Sequence, residues 1–134
     1  MSLSLTELFA SIQGEGNAQG LPCTFVRLAG CPLRCRWCDT AYAREGGTDT
    51  EVEEIVRRVG ALGPPLVEIT GGEPLAQEDT PELARQLLAA GLRVLCETSG
   101  AFDIGLLPDG VVRVMDLKAP GSGETHRMLW ANLE

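Results

Sequence analysis

Apolar and polar positions alternate along this chain in short blocks of two kinds. LPCTFVRLAG, Leu21–Gly30, is β-branched and apolar enough for a strand ending at Gly30, and LTELFASIQ, Leu5–Gln13, can pair with it. TEVEEIVRRVGAL predicts a helix from Thr50, with Glu53 completing a capping box and Val52, Ile55, Val56 and Val59 on one stripe. LVEIT, 66–70, predicts a short buried strand after Pro64 and Pro65. TPELARQLLAAG predicts a second helix, capped by Thr80, with Pro81 in its first turn and Gly91 at its end. LRVLCETS and VVRVMDLK predict two further strands, and HRMLWANLE reads as the start of another helix.

Strands alternating with helices imply parallel βαβ units in an α/β fold, whose ligands bind beyond the carboxyl ends of the strands. Four segments follow those ends: Cys31 to Cys38, TGGEP, ETSG and DLKAPGSG. Their shared position predicts a single site on one rim.

At 134 residues, without repeats or long linkers, the chain reads as one domain. No apolar run approaches the ~20 residues of a membrane span. The N-terminal residues lack the pattern of a signal peptide, so a cytoplasmic protein is expected. A net charge of -8 argues against nucleic acid as a partner. Five cysteines, three of them within eight positions, make a poor disulfide framework and a good metal or redox cluster.

Those three are Cys31, Cys35 and Cys38, spaced C-x3-C-x2-C in GCPLRCRWCDT. Three thiolates can hold three corners of a cubane iron–sulfur cluster and leave the fourth iron open, as a catalytic metal requires. Cys23 and Cys96 read as small buried apolar residues; either could complete the set if the fold brought it close. In TGGEP, two glycines allow close backbone approach and Glu73 can accept from an ammonium. The positions of ETSG and DLK suit a ribose or carboxylate contact from Ser99, Asp116 and Lys118. His126 fits no motif.

The run Cys31, Cys35, Trp37, Cys38, together with TGGEP, resembles the signature of the radical S-adenosylmethionine enzymes. ELFASIQGEG, FVRLAGCPLRCRWCDT, EITGGEP and ETSG narrow the resemblance to the 7-carboxy-7-deazaguanine synthase family of queuosine and deazapurine biosynthesis. The resemblance implies a partial (β/α) barrel of the radical SAM type, of which this chain would be the N-terminal part, truncated at its C-terminus. It implies a carbon–nitrogen lyase that converts 6-carboxy-5,6,7,8-tetrahydropterin to 7-carboxy-7-deazaguanine with loss of ammonia.

Its cofactors would be a [4Fe–4S] cluster on Cys31, Cys35 and Cys38, S-adenosylmethionine on the open iron, and Mg2+ at Thr40. Substrate contacts would come from Ile12, Gln13, Gly14, Arg27 and Thr70, with the Arg27 fork suited to a carboxylate. S-adenosylmethionine contacts would come from Trp37, Cys38, Asp39, Gly72, Ser99, Asp116, Leu117 and Lys118. An electron donor such as flavodoxin and a homodimer are further implications. Two alternatives are a glycyl-radical-activating enzyme and a non-enzymatic iron–sulfur or zinc carrier. SIQGEG and Arg27 argue against the first. TGGEP argues against the second, which would also need a fourth protein ligand.

Overall fold

A computed structural model describes residues 1–134. Six strands form one sheet: β1 (Ser2–Ile12), β2 (Pro22–Leu28), β3 (Thr48–Glu51), β4 (Leu66–Gly71), β5 (Arg93–Thr98) and β6 (Val112–Met115). Their order is β3-β1-β2-β4-β5-β6. The strands β2, β4, β5 and β6 run parallel, while β1 lies antiparallel to both β2 and β3. Two α-helices, α1 (Val52–Leu62) and α2 (Thr80–Ala89), complete the regular structure.

The two-residue period of the strands divides this sheet into two chemically different faces. Val26 and Leu28 on β2, Val67 and Ile69 on β4, and Val94 and Cys96 on β5 join one core with Val52, Ile55 and Val59 of α1 and Leu83, Ala84 and Leu87 of α2. Intervening positions face the other way. Near the start of the strands they are apolar (Cys23, Leu66, Leu95), packed with Ala18 and Phe25. Toward the carboxyl ends they become Arg27, Glu68, Thr70 and Glu97. A buried parallel strand is normally apolar on both faces, so this polar end marks where the sheet meets something other than core.

The structure revises four local expectations. Residues 48–51 are a strand rather than the entry to a helix: Ser2 to Leu5 pair with Glu51 to Thr48, and this pairing outweighs the local helix signal. The capping box of Thr50 and Glu53 does not form, because the Thr50 hydroxyl donates to the Thr48 carbonyl and α1 starts after Glu51 without a side-chain cap. Thr80 is the first residue of α2 rather than its cap, and its hydroxyl donates to the Pro74 carbonyl at 2.6 Å. HRMLWANLE forms two short 3-10 turns, Thr125–Arg127 and Trp130–Leu133, in place of an α-helix. The strand–helix alternation also lapses between β5 and β6, where the glycines and proline of residues 100–110 accompany only one 3-10 turn.

Candidate active site

The carboxyl end of β2 leads directly into the cysteine loop. Two backbone bonds close that loop at its base, Gly30 N–H to Ala43 O at 2.8 Å and Cys31 N–H to Arg44 O at 3.2 Å. Arg34 Nη1 donates to the Cys31 and Leu33 carbonyls, and Arg44 Nη2 donates to the Cys35 carbonyl at 3.2 Å. From the C-terminal segment, the Ser122 carbonyl accepts from Arg36 N–H at 3.1 Å. Gly121 lies so close to the Trp37 ring that a Cβ there would come within 2.9 Å of it.

A cavity of about 610 Å³ opens over this rim. Cys31, Cys35, Trp37, Cys38, Asp39 and Thr40 form one wall, and Gln13, Gly14, Arg27, Thr70, Gly72, Ser99, Asp116 and Lys118 line the rest. Fourteen of the sixteen residues to which the family resemblance gives a site role thus share one cavity. Ile12 and Leu117 do not line it; these residues are 58% and 61% exposed.

The TGG backbone is seated against the cysteine loop. Gly72 N–H donates to Leu28 O at 3.1 Å, and Glu73 N–H donates to Gly30 O at 2.8 Å. A Cβ on Gly71 would lie 2.1 Å from Leu28 O, and one on Gly72 would lie 2.3 Å from Gly30 O and 2.8 Å from Cys31 Cβ. Only glycine permits this approach.

Glu73 has another role than the expected ammonium contact. Its carboxylate is fully buried and turned away from the cavity. Oε1 accepts from Leu75 N–H at 2.9 Å and from the Thr98 hydroxyl at 2.8 Å, while Oε2 accepts from Ser99 N–H at 2.6 Å. It ties the loop after β4 to the end of β5, and so holds Gly72 and Ser99 on the same rim.

Gln13 is likewise used internally. Its N–H donates to Leu21 O, its carbonyl accepts from Gly20 N–H, its side-chain Oε1 accepts from Gly14 and Glu15 N–H, and Nε2 donates to Glu68. The Gln13 amide thus shapes the loop that borders the cavity. Arg27 donates through Nε to Glu7 Oε1 at 2.7 Å, and the Tyr42 hydroxyl donates to the same oxygen at 2.7 Å. The Tyr42 ring also lies under the guanidinium, 5.9 Å away. The hydroxyl of Tyr42, helped by Arg27, holds the Glu7 carboxyl below its ordinary range. The recorded bond occupies only the Nε edge of Arg27, which leaves its two Nη groups as the fork.

Thr70 donates to Glu97 Oε2 at 3.1 Å, Thr40 donates to Asp39 Oδ1 at 2.6 Å, and Lys118 donates to Asp116 Oδ2 at 2.7 Å. Glu68, Glu97 and Arg44 are among the cavity residues to which the sequence assigned no role. The period-two pattern offered a signal for the first two, since each places a carboxylate in an otherwise apolar strand.

The donor set suits an iron–sulfur cluster. All five cysteines are free thiols, and the three on the cavity wall are those of the C-x3-C-x2-C loop. Burial pushes the Cys31 thiol up, and coordination by a cation would offset that by holding the thiolate. No three His, Cys, Asp or Glu side chains converge as the ligands of a single ion would; a cubane takes one thiolate on each iron, so its protein ligands stand apart. Cys23 sits at the opposite end of β2 from this loop, with its thiol pushed up to about 11, chiefly by burial. Cys96 packs into the helix-side core. Neither lines the cavity.

Residues 25–115 match the Radical SAM superfamily. The chain is 45% identical over 134 residues to 7-carboxy-7-deazaguanine synthase of Koribacter versatilis, covering 98% of this chain and 59% of the relative. The synthase of Methanospirillum hungatei is 48% identical over 123 residues (91% and 53%), and that of Chlorobaculum tepidum 46% over 130 residues (97% and 59%). The crystal structure of QueE from Escherichia coli aligns with a TM-score of 0.83 at 27% identity, covering 99% of this chain and 68% of that one. The chain therefore spans between 53% and 59% of the length of these three curated relatives.

Proposed function

Because the chain belongs to the radical SAM superfamily, and is similar over nearly its whole length to 7-carboxy-7-deazaguanine synthases, we propose that it carries out their reaction. The substrate would be 6-carboxy-5,6,7,8-tetrahydropterin and the product 7-carboxy-7-deazaguanine, with ammonia lost. The observation that carries this reading is the meeting of three free cysteines and the Arg27 guanidinium on one cavity. A volume of about 610 Å³ is also in the range of small-molecule sites. That favours a small substrate over the protein substrate of a glycyl-radical-activating enzyme.

Cys31, Cys35 and Cys38 would hold a [4Fe–4S] cluster, and Gly72, Ser99, Asp116 and Lys118, with the 37–39 segment, would hold S-adenosylmethionine beside it. When bound and reduced, the cluster and S-adenosylmethionine supply a radical able to take a hydrogen atom from substrate. The residues of the chain bind, orient and shield. Arg27, steadied by Glu7 and Tyr42, offers two Nη groups to a planar carboxylate. Gly72 lets the backbone approach the ligand where any side chain would collide with the cysteine loop. The adjacent charges of Asp116 and Lys118 suit polar groups of a ribose or an amino acid.

Magnesium at Thr40 belongs to the same reading, supported by the oxygens of Thr40 and Asp39 on the cavity wall. A flavodoxin-like electron donor, a homodimer and a cytoplasmic location rest on the resemblance. No helix is long and apolar enough to cross a membrane.

The test is a set of variants measured anaerobically after cluster reconstitution. Cys31→Ala, Cys35→Ala and Cys38→Ala should each abolish reductive cleavage of S-adenosylmethionine, while Cys23→Ala and Cys96→Ala keep the cluster. Arg27→Lys should weaken pterin binding and leave cleavage without substrate little changed. Loss of the cluster in a folded Cys96→Ala protein would give that residue the fourth-ligand role. Equal damage to both activities in Arg27→Lys would remove the substrate-carboxylate assignment.

A further inference from the structure

Glu68 on β4 and Glu97 on β5 occupy the cavity face of adjacent parallel strands. The register sets Glu68 opposite Leu95, so Glu97 is its diagonal neighbour on the same face, within reach of its long side chain. Each also accepts from a neutral donor, Glu68 from Gln13 Nε2 and Glu97 from the Thr70 hydroxyl at 3.1 Å. Neither carboxyl takes part in any of the six ion pairs of the structure.

The surrounding charges fill that gap only in part. Arg27 on β2 favours the ionised form of Glu68 without pairing with it, its Nε being bonded to Glu7, and Arg113 on β6 donates to the carbonyls of Ile104, Leu107 and Val111. Glu15 beyond β1 and Asp116 beyond β6 add further negative charge. Cys23 and Cys96 are thiols pushed upward by burial and contribute no positive charge. Two neighbouring carboxyls on one strand face, neither of them ion-paired, oppose each other's ionisation.

We propose that Glu68 and Glu97 hold a single proton between them in the ligand-free protein, with Glu68 the positioning residue that fixes the charge of this cavity wall at one negative. The pair then presents one O–H donor and several acceptor oxygens on a fixed strand framework. Burial and the neighbouring carboxyl act together here, raising Glu97 to about 7 and Glu68 upward as well. A ligand edge rich in N–H groups would favour the ionised pair, so its binding would be linked to proton release. Identifying that edge with the aminopyrimidinone of a pterin rests on the function proposed above.

Two measurements on the reconstituted protein separate the claims. The first follows the carbonyl stretch of a protonated carboxyl by infrared difference titration without substrate. The wild-type band should be present at neutral pH and fade as pH rises past about 7. In Glu68→Gln, which keeps the side-chain shape and an acceptor for Gln13, the band should fade about one pH unit lower or more, because the like charge is gone. Glu97→Gln should move it in the same direction. A band at unchanged pH in both variants overturns the shared proton.

The second measures the affinity for carboxytetrahydropterin against pH. The wild-type profile should break near the infrared midpoint, and the break should move down in Glu68→Gln. Absence of pterin binding at every pH, with the infrared shift intact, would overturn the substrate assignment and leave the shared proton standing.

Discussion

Replacing Glu73 by Gln changes one oxygen of a fully buried side chain into an NH2 group and leaves its shape intact. In the native protein, Oε1 accepts two hydrogen bonds and Oε2 accepts the Ser99 N–H at 2.6 Å. The amide oxygen of Gln can take over the role of Oε1. The amide nitrogen then faces the Ser99 N–H, donor against donor. Two buried donors lose partners, at about 1–3 kcal/mol each, so Glu73→Gln should destabilise the protein by about 4 kcal/mol. That is a large share of a typical total of about 5–15 kcal/mol. The assay is urea unfolding of the cluster-free protein under reducing conditions, followed by far-ultraviolet circular dichroism. Affinity for S-adenosylmethionine is then measured on reconstituted material at low denaturant-free temperature, where the variant remains folded. A loss of stability below ~1 kcal/mol, with S-adenosylmethionine affinity sharply reduced, would refute the bracing role and restore Glu73 as a ligand contact.

Gly72→Ala should prevent cluster retention, since its Cβ would meet Gly30 O at 2.3 Å and Cys31 Cβ at 2.8 Å; iron and sulfide per chain after reconstitution report it, with Gly14→Ala, whose Cβ meets nothing within 4 Å, as control. Stability should fall as pH rises from the ordinary glutamate value of 4.5 through about 7, because the folded protein retains a proton on the Glu68–Glu97 pair that the unfolded chain has released. The contribution is complete below 4.5 and lost above about 7, and Glu97→Gln should flatten this slope in denaturant midpoints collected across the window. Thr40→Ala should lower turnover and blunt its magnesium dependence with cluster assembly intact, while Thr40→Ser keeps much of both; an unchanged magnesium response would place the ion elsewhere.

The features legible in the sequence are those encoded locally. Cysteine spacing, the TGG run and four apolar strands each announce themselves within a few residues, and the parallel α/β arrangement follows from their order. What escaped depended on partners distant in the chain. Residues 48–51 are polar and adjoin a helix, and only their ladder with Ser2–Leu5 makes them a strand. Glu73 looks like a ligand contact until Thr98 and Ser99, 25 and 26 residues onward, are seen to surround its carboxylate. Gln13 and Glu68 are 55 residues apart, and their contact becomes visible only when β2 and β4 lie side by side. Arg27 shows the reverse case: once LTELFASIQ and LPCTFVRLAG are taken as a hairpin, the Glu7 opposite Arg27 is a readable cross-strand pair.

The central claim is that the cavity shared by the cysteine loop and Arg27 converts a carboxytetrahydropterin to a deazaguanine. The most direct measurement is anaerobic incubation of the reconstituted protein with reductant, S-adenosylmethionine and 6-carboxy-5,6,7,8-tetrahydropterin, followed by mass spectrometry. Formation of 7-carboxy-7-deazaguanine, dependent on S-adenosylmethionine and lost in Cys35→Ala, is the expected result. Cleavage of S-adenosylmethionine to 5′-deoxyadenosine with the pterin recovered unchanged would contradict the substrate assignment and leave only the superfamily chemistry in place.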